Sequence, residues 1–216
     1  MEDSTSMIIP MAVDGDITRA VRRAARVLTG GGVILYPTDT IYGLGCRATD
    51  GEAVGRIYAM KGRPPSMPSL ILVGSAAMVE RFVAGIPPVA RTLMDRFWPG
   101  PLTLLFRSTG TVPGALTAGT GRIGIRFPAH EFCARLAERC DDAIVSTSAN
   151  VSGMPPPAEP ADIFRQFASS VDLVVNAGKL VSRPSTVADI SGGVLVVLRE
   201  GVISGGILAS ALVPVP

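Results

Sequence analysis

Residues 31–64, GGVILYPTDTIYGLGCRATDGEAVGRIYAMKGRP, leave the chain little freedom, because an apolar strand, a hydroxyl-rich turn and a short helix follow one another almost without slack. Val33-Ile34-Leu35-Tyr36 is a run of β-formers entered through three glycines, and Pro37 removes a ladder donor and stops it. Thr38, Asp39, Thr40 and Tyr42 then follow the strand terminus, the end at which open α/β sheets bind ligands. The same residues also suit an ordinary Asx or Ser/Thr turn that satisfies its own backbone. Thr49 with Glu52 has capping-box spacing, and Val54, Ile57 and Tyr58 give the apolar stripe of a helix ending near Gly62. Lys61 and Arg63 fall at its C-terminus, either as cations suited to the macrodipole or as a clamp for an anion.

Gly43-Leu44-Gly45-Cys46-Arg47-Ala48 fits the G-x-G-x-x-A pattern of dinucleotide sites. Its first glycine, however, comes seven residues after the strand's last residue, the capped helix starts only beyond the motif, and no acidic residue ends a following strand. A Rossmann site is therefore set aside. No P-loop or nucleophile elbow occurs, and the single histidine, His130, follows Pro128 and Ala129 at a helix start, which suits a structural role.

The rest of the chain repeats the alternation of short apolar strands and helical patterns. Asp16 is placed to cap a helix to about Leu28, whose Arg19, Arg22, Arg23 and Arg26 form either a solvated face or a nucleic-acid contact. Strands are expected at 70–73, 102–106, 122–127, 143–145, 173–175, 187–190 and 194–198, with helical patterns near 76–83, 88–97, 131–138 and 161–168. Met154-Pro155-Pro156-Pro157 reads as a stiff extended loop, and Ser182 to Thr186 precedes a strand. Period two puts Arg122, Gly124 and Arg126 on one face, which fits either an anion site or an edge strand blunted by charge. A second polar cluster, Ser146 to Ser152, follows another apolar strand.

A composition of 47% hydrophobic and 18% charged residues, with 24 glycines and 18 prolines, suits one α/β domain with strands buried on both faces. A net charge of +2 disfavours a large nonspecific nucleic-acid surface. Three cysteines without a C-x-x-C pair, and one histidine, argue against a disulfide framework or a zinc site. With no leader-like start and no long apolar run, the expected compartment is a reducing cytoplasm, with no membrane partner. The remaining Lys, Arg, Ser, Thr and Asn side chains at strand ends bind and orient anionic oxygens, which points to a nucleotide-dependent ligation or adenylation.

Seven motifs in order carry a resemblance across nearly the whole chain: Pro37 to Gly45, Lys61-Gly62-Arg63-Pro64, Trp98-Pro99-Gly100-Pro101, Ile125-Arg126-Phe127-Pro128, Ser148 to Gly153, Pro184-Ser185-Thr186 and Leu198-Arg199-Glu200-Gly201. On these the sequence resembles the YrdC-like L-threonylcarbamoyladenylate synthases. The resemblance implies a single α/β domain over 13–206, between an N-terminal extension (1–12) and a C-terminal tail (207–216), with a twisted mixed β-sheet flanked by helices and a concave basic cavity. It further implies condensation of L-threonine, bicarbonate and ATP to L-threonylcarbamoyladenylate and pyrophosphate. Mg²⁺ would sit on the phosphates with no protein side chain as its ligand, and partner proteins would carry the group to a tRNA adenosine next to the anticodon.

By the same resemblance, Lys61, Arg63, Ser148 and Asn150 form the catalytic, ATP-contacting tetrad, and Arg199 is a further ATP contact. Thr38, Tyr42, Arg126 and Ser185 match the threonine site, with Arg126 on the carboxylate. The chain departs from the family pattern in three ways. No histidine follows in Leu72-Val73-Gly74, Arg122 stands where many relatives have a small hydroxyl residue and is assigned to ATP, and the sequence ends soon after Arg199, as in a short form without the extra C-terminal domain. Two other readings share the fold: a carbamoyl-adenylate-dependent carbamoyltransferase domain, and a non-catalytic paralogue making weak RNA contact.

Overall fold

The computed structural model describes residues 8–11, 17–155, 157, 159–180 and 183–213. In chain order the elements are β1 (Ile8–Pro10), α1 (Ile17–Thr29), β2 (Ile34–Tyr36), β3 (Gly43–Gly45), α2 (Gly51–Lys61) and β4 (Leu70–Leu72). A 3₁₀ turn (Ala77–Arg81) leads to α3 (Pro88–Phe97), β5 (Leu102–Arg107), α4 (Gly114–Thr117), β6 (Arg122–Arg126), α5 (Glu131–Cys140) and β7 (Ile144–Ser148). The chain continues through α6 (Pro160–Phe167), β8 (Leu173–Asn176), β9 (Thr186–Asp189), β10 (Val196–Arg199) and α7 (Gly205–Ser210). The strands form one mixed ten-stranded sheet in the order β1-β8-β2-β3-β7-β4-β6-β5-β9-β10. This matches the expected single α/β domain with a mixed sheet.

Strand alternation divides the core. Leu35, Ile71, Leu104, Ile123, Ile125, Val145 and Val174 point to one face, where they join residues of α2, α3 and α6. Ile34, Tyr36, Leu72, Ile144, Leu173 and Val175 point to the other, where α1 and α5 cover them with Ala20, Val21, Ala24, Leu28, Phe132, Leu136 and Ala137. These two helices cover only part of that face. On β4, β6 and β7, Leu70, Gly124, Arg126, Ser146 and Ser148 share its direction yet line an open cavity.

Several local expectations are corrected. The cap of α2 is Asp50, whose side chain accepts from the Ala53 amide at 3.0 Å, because the Thr49 hydroxyl is drawn away to Asp142 at 2.5 Å. Gly43–Gly45 is a strand paired to both β2 and β7. A Cβ at Gly45 would stand 2.6 Å from the Tyr36 ring and 2.8 Å from the Val145 carbonyl oxygen, so close packing accounts for that glycine of the dinucleotide-like motif. β6 lies between β4 and β5, so Arg122 and Arg126 do not blunt an edge. The helical pattern at 76–83 is the short 3₁₀ turn.

The outer boundaries also differ from the sequence reading. β1, inside the stretch set apart as an extension, pairs parallel with β8, and α7, which crosses the boundary set between 206 and 207, buries Leu208 fully against the main core. Asp16, Pro156, Ser182 and the final prolines lie outside the described residues. Cys46, Cys133 and Cys140 are all buried as free thiols, which burial pushes above the ordinary thiol range, Cys140 to about 11. Leu208→Ala is expected to cost about 2–4 kcal/mol in urea unfolding if α7 is part of the core, whereas a detached tail would show no change.

Candidate active site

The cavity occupies about 620 Å³. Thr38, Tyr42, Arg63, Arg122, Arg126, Ser148, Ser185 and Arg199 line it, so most of the residues singled out in the sequence meet in one place. The two hydroxyl clusters converge because β3 carries the first one back against β7, pairing Gly43 with Ser148, while the Ala149 amide donates to the Tyr42 carbonyl at 3.0 Å.

Lys61 and Asn150 do not line the cavity; they sit behind Ser148. Lys61 is 1% exposed, and its ammonium donates to the carbonyl of Ser148, to the carbonyl of Asn150 at 2.6 Å and to Asn150 Oδ1 at 3.4 Å. The Ser148 hydroxyl donates to the same Oδ1, and Asn150 Nδ2 donates to the carbonyls of Val151 (2.9 Å) and Met154. The tetrad thus includes a braced turn, with Ser148 as its face toward the cavity. Burial, and after it the charge of Arg63, lower the Lys61 ammonium to about 8. Arg63 is held by its own loop, donating from Nε to the Met67 carbonyl at 3.1 Å and from Nη2 to that of Pro68.

At the end of β6, Arg126 is 3% exposed and donates from Nη1 to Asp39 Oδ1 at 2.9 Å and to Thr40 Oγ1 at 3.4 Å. Arg199 donates to the Ser185 carbonyl at 2.9 Å, and burial followed by the nearby Arg126 lowers its pKa. Arg122 is tied to Asp189 at 2.6 Å. The Ser185 hydroxyl lies 3.1 Å from Thr103 Oγ1. Tyr42 contributes its ring, since its hydroxyl donates to the Gly178 carbonyl at 2.8 Å and accepts from the Ala177 amide at 2.9 Å. Thr38 Oγ1 accepts from the amides of Thr40 and Ile41 and donates to the Ile41 carbonyl at 2.8 Å, so the hydroxyl is committed to its turn.

His130 caps no amide with its side chain, and its Nδ1 lies 3.7 Å from Cys133 Sγ. No group of three or more His, Cys, Asp or Glu stands together among the described residues. Asp39 and Asp189, the acids bonded to the cavity arginines, are each engaged by one. A ligand there meets four guanidinium groups and a hydroxyl-rich floor. Such a surface aligns anionic groups and neutralises developing charge, and it needs no side chain as a proton shuttle.

A sequence profile of the Sua5/YciO/YrdC family, described as telomere recombination, matches residues 26–201. The chain belongs to the Sua5/YciO/YrdC family. It is 37% identical to the threonylcarbamoyl-AMP synthase of Pyrococcus abyssi over 182 residues, which cover 84% of this chain and 54% of that protein. The threonylcarbamoyl-AMP synthase of Halorhodospira halophila is 33% identical over 171 residues, covering 78% of this chain and 89% of its own length. The structure of P. abyssi Sua5 complexed with L-threonine superposes with a TM-score of 0.90 at 33% identity, over 96% of this chain and 61% of that one. The chain therefore spans about half the length of one such relative and nearly all of another.

Sequence reasoning missed Ser69, Thr103 and Thr120 as cavity residues. Period two along Leu102–Phe106 would have given Thr103, which alternates with the core residues Leu102 and Leu104. Ser69 had no such signal; it precedes β4, is 5% exposed, and its hydroxyl has no hydrogen-bond partner among the described residues. Ser69→Ala should leave stability unchanged or raise it by about 1 kcal/mol in thermal unfolding, since no bond is lost; a clear loss would show that the hydroxyl is engaged.

Proposed function

We propose that this protein condenses L-threonine, bicarbonate and ATP to L-threonylcarbamoyl-AMP and pyrophosphate. The observation that carries the reading is the buried guanidinium of Arg126, with Nη1 anchored and Nε unpartnered among the described residues, in a cavity lined by three further arginines. Its membership of a family that includes threonylcarbamoyl-AMP synthases supports the same choice.

In this reading the threonine carboxylate docks on Arg126, with Tyr42, Thr38 and Ser185 shaping the pocket around it. Thr38 acts through its turn and its methyl group, because its hydroxyl proton is already donated. Bicarbonate and the threonine amine give a carbamate with loss of water. A carbamate oxygen then attacks the α-phosphorus, forming the mixed anhydride as the bond to the leaving pyrophosphate breaks. Arg63, Ser148, Arg122 and Arg199 contact the phosphates, while Lys61 and Asn150 hold Ser148 in place and Lys61 adds its charge from behind. Mg²⁺ arrives as the complex with ATP, held by phosphate oxygens. The product passes to partner proteins that act on the tRNA adenosine next to the anticodon. Arg19, Arg22 and Arg26, exposed on α1, supply a surface for weak RNA contact. A cytoplasmic setting fits this role, and no helix among the described residues is long and apolar enough to cross a membrane.

The direct test is pyrophosphate release with ATP, Mg²⁺ and bicarbonate, with and without L-threonine. Release that requires both threonine and bicarbonate is expected; release with carbamoyl phosphate in threonine's place would identify a carbamoyl-transfer domain instead. Lys61→Met, which keeps the volume and removes the charge, should lower turnover by about 10²-fold or more while circular dichroism is unchanged.

The lowered pKa of Lys61 gives a signed pH effect. A neighbouring phosphate favours the charged form, so ATP binding near pH 8 should take up a fraction of a proton, read by calorimetry in buffers of different ionisation heat, and none near about pH 6. The folding contribution of this group runs the opposite way: the unfolded chain holds the proton up to the ordinary lysine value, so folding releases it and stability from Lys61 rises with pH above about 8.

A further inference from the structure

We propose that Asp39 is a positioning residue for the amino-acid substrate: its carboxylate holds Arg126 by Nη1, so that the side edge of the guanidinium, Nε with Nη2, is the edge that takes the substrate carboxylate. The inference rests on the reading above and adds to it a residue that does not itself touch substrate.

Asp39 is fixed from two directions. Oδ1 accepts from Arg126 Nη1 at 2.9 Å, and Oδ2 accepts from the Ala129 amide at 3.2 Å, just beyond the end of β6. The carboxylate is 11% exposed and the Arg126 side chain 4%, so the pair is shielded from solvent. Arg126 Nη1 also reaches Thr40 Oγ1, on the residue next to Asp39 in the same turn, while Nε is buried without a partner among the described residues. A buried N–H of a charged group left unbonded keeps its desolvation cost, and a carboxylate removes that cost when it binds through two parallel N–H···O bonds. The Nε edge presents such a fork, and Nη1 lies outside it.

Asp39 has a second effect on the same group. Arg126 and Arg199 are close enough to lower the pKa of Arg199, and both face the cavity. The negative charge of Asp39 offsets that repulsion and keeps Arg126 from turning its open edge away. Replacing Asp39 leaves Arg126 buried without its counter-charge and held only by the longer bond to Thr40 Oγ1, so that it can reorient.

The test measures KM for L-threonine and for ATP separately in Asp39→Ala, Asp39→Asn and Arg126→Ala, and in the double variant D39A/R126A, with direct L-threonine binding by calorimetry alongside. Asp39→Ala should raise KM and Kd for threonine about tenfold or more with ATP KM within about twofold, and should shrink the preference for threonine over L-threoninol, which lacks the carboxylate, by a similar factor. Asp39→Asn, which keeps one acceptor oxygen, should fall between. The double variant should be no worse than Arg126→Ala, because Asp39 acts through Arg126. Unchanged threonine parameters, equal losses for threonine and ATP, or additive losses in the double variant would overturn the inference. If Asp39→Ala does not fold, Asp39→Asn and Asp39→Ser decide by the same criteria. Wild-type protein that binds threonine without releasing pyrophosphate overturns the proposed function and leaves the binding data to judge Asp39; wild-type protein that binds no threonine overturns both.

Discussion

The ammonium of Lys61, enclosed beneath the end of β7, is the interaction on which the arrangement of the cavity depends. An isolated buried charge costs several kcal/mol, and here three oxygens of Ser148 and Asn150 offset that cost. The bond runs from the last residue of α2 to Ser148, the last residue of β7, 87 residues on, so it joins two segments that the sheet alone would leave to find each other. Gly62 makes this geometrically feasible, ending the helix at φ 57° where a side chain would be strained. The Ser152 amide returns to the Lys61 carbonyl at 2.9 Å and closes the junction.

The division of one sheet face between α1 with α5 and an open cavity gives the second constraint. Residues of one strand serve both halves: Leu72 and Ile144 pack beneath the helices, while Leu70 and Ser148 on the same strands face the cavity. A one-residue slip in β7 would turn Ser146 and Ser148 into the apolar core and bring Val145 out. Registers between β4 and β7 and between β4 and β6 are therefore fixed by burial, and the polar wall inherits its precision from the apolar one.

Much of this was legible in the sequence wherever the signal was local. Strands such as Leu70–Leu72 and Leu102–Arg107 announced themselves as apolar runs, and the alternation Arg122-Gly124-Arg126 placed two cavity arginines correctly on one face. What local pattern could not give was the partner of each polar group. Asp39 and Arg126 are 87 residues apart and meet only because β2 and β6 belong to one sheet. The hydroxyl of Thr49 looked like a cap and instead bonds Asp142, whose carboxylate also receives Arg47 at 3.1 Å. Lys61 presented two readings, a terminal helix cation or an anion clamp; its position one turn of chain behind Ser148 combines a structural bond with a charge near the cavity, which spacing alone does not express. The short strand Gly43–Gly45 escaped because its residues lack β-propensity and form a strand only when pinned between β2 and β7.

Among the described residues the ten-stranded sheet ends in β1 and β10. At one, β1 is three residues long and ends in Pro10, which has no N–H to offer. At the other, the pairing of β10 shifts register between Val197 and Arg199, breaking its ladder within four residues. Val194, Val196 and Leu198 are exposed along that second rim, a pattern that on a long, regular strand would invite another chain to add itself. Because the ladder breaks there, an incoming strand finds no continuous row of donors and acceptors on β10, and this side of a wide sheet ends without becoming a seed for its own copies.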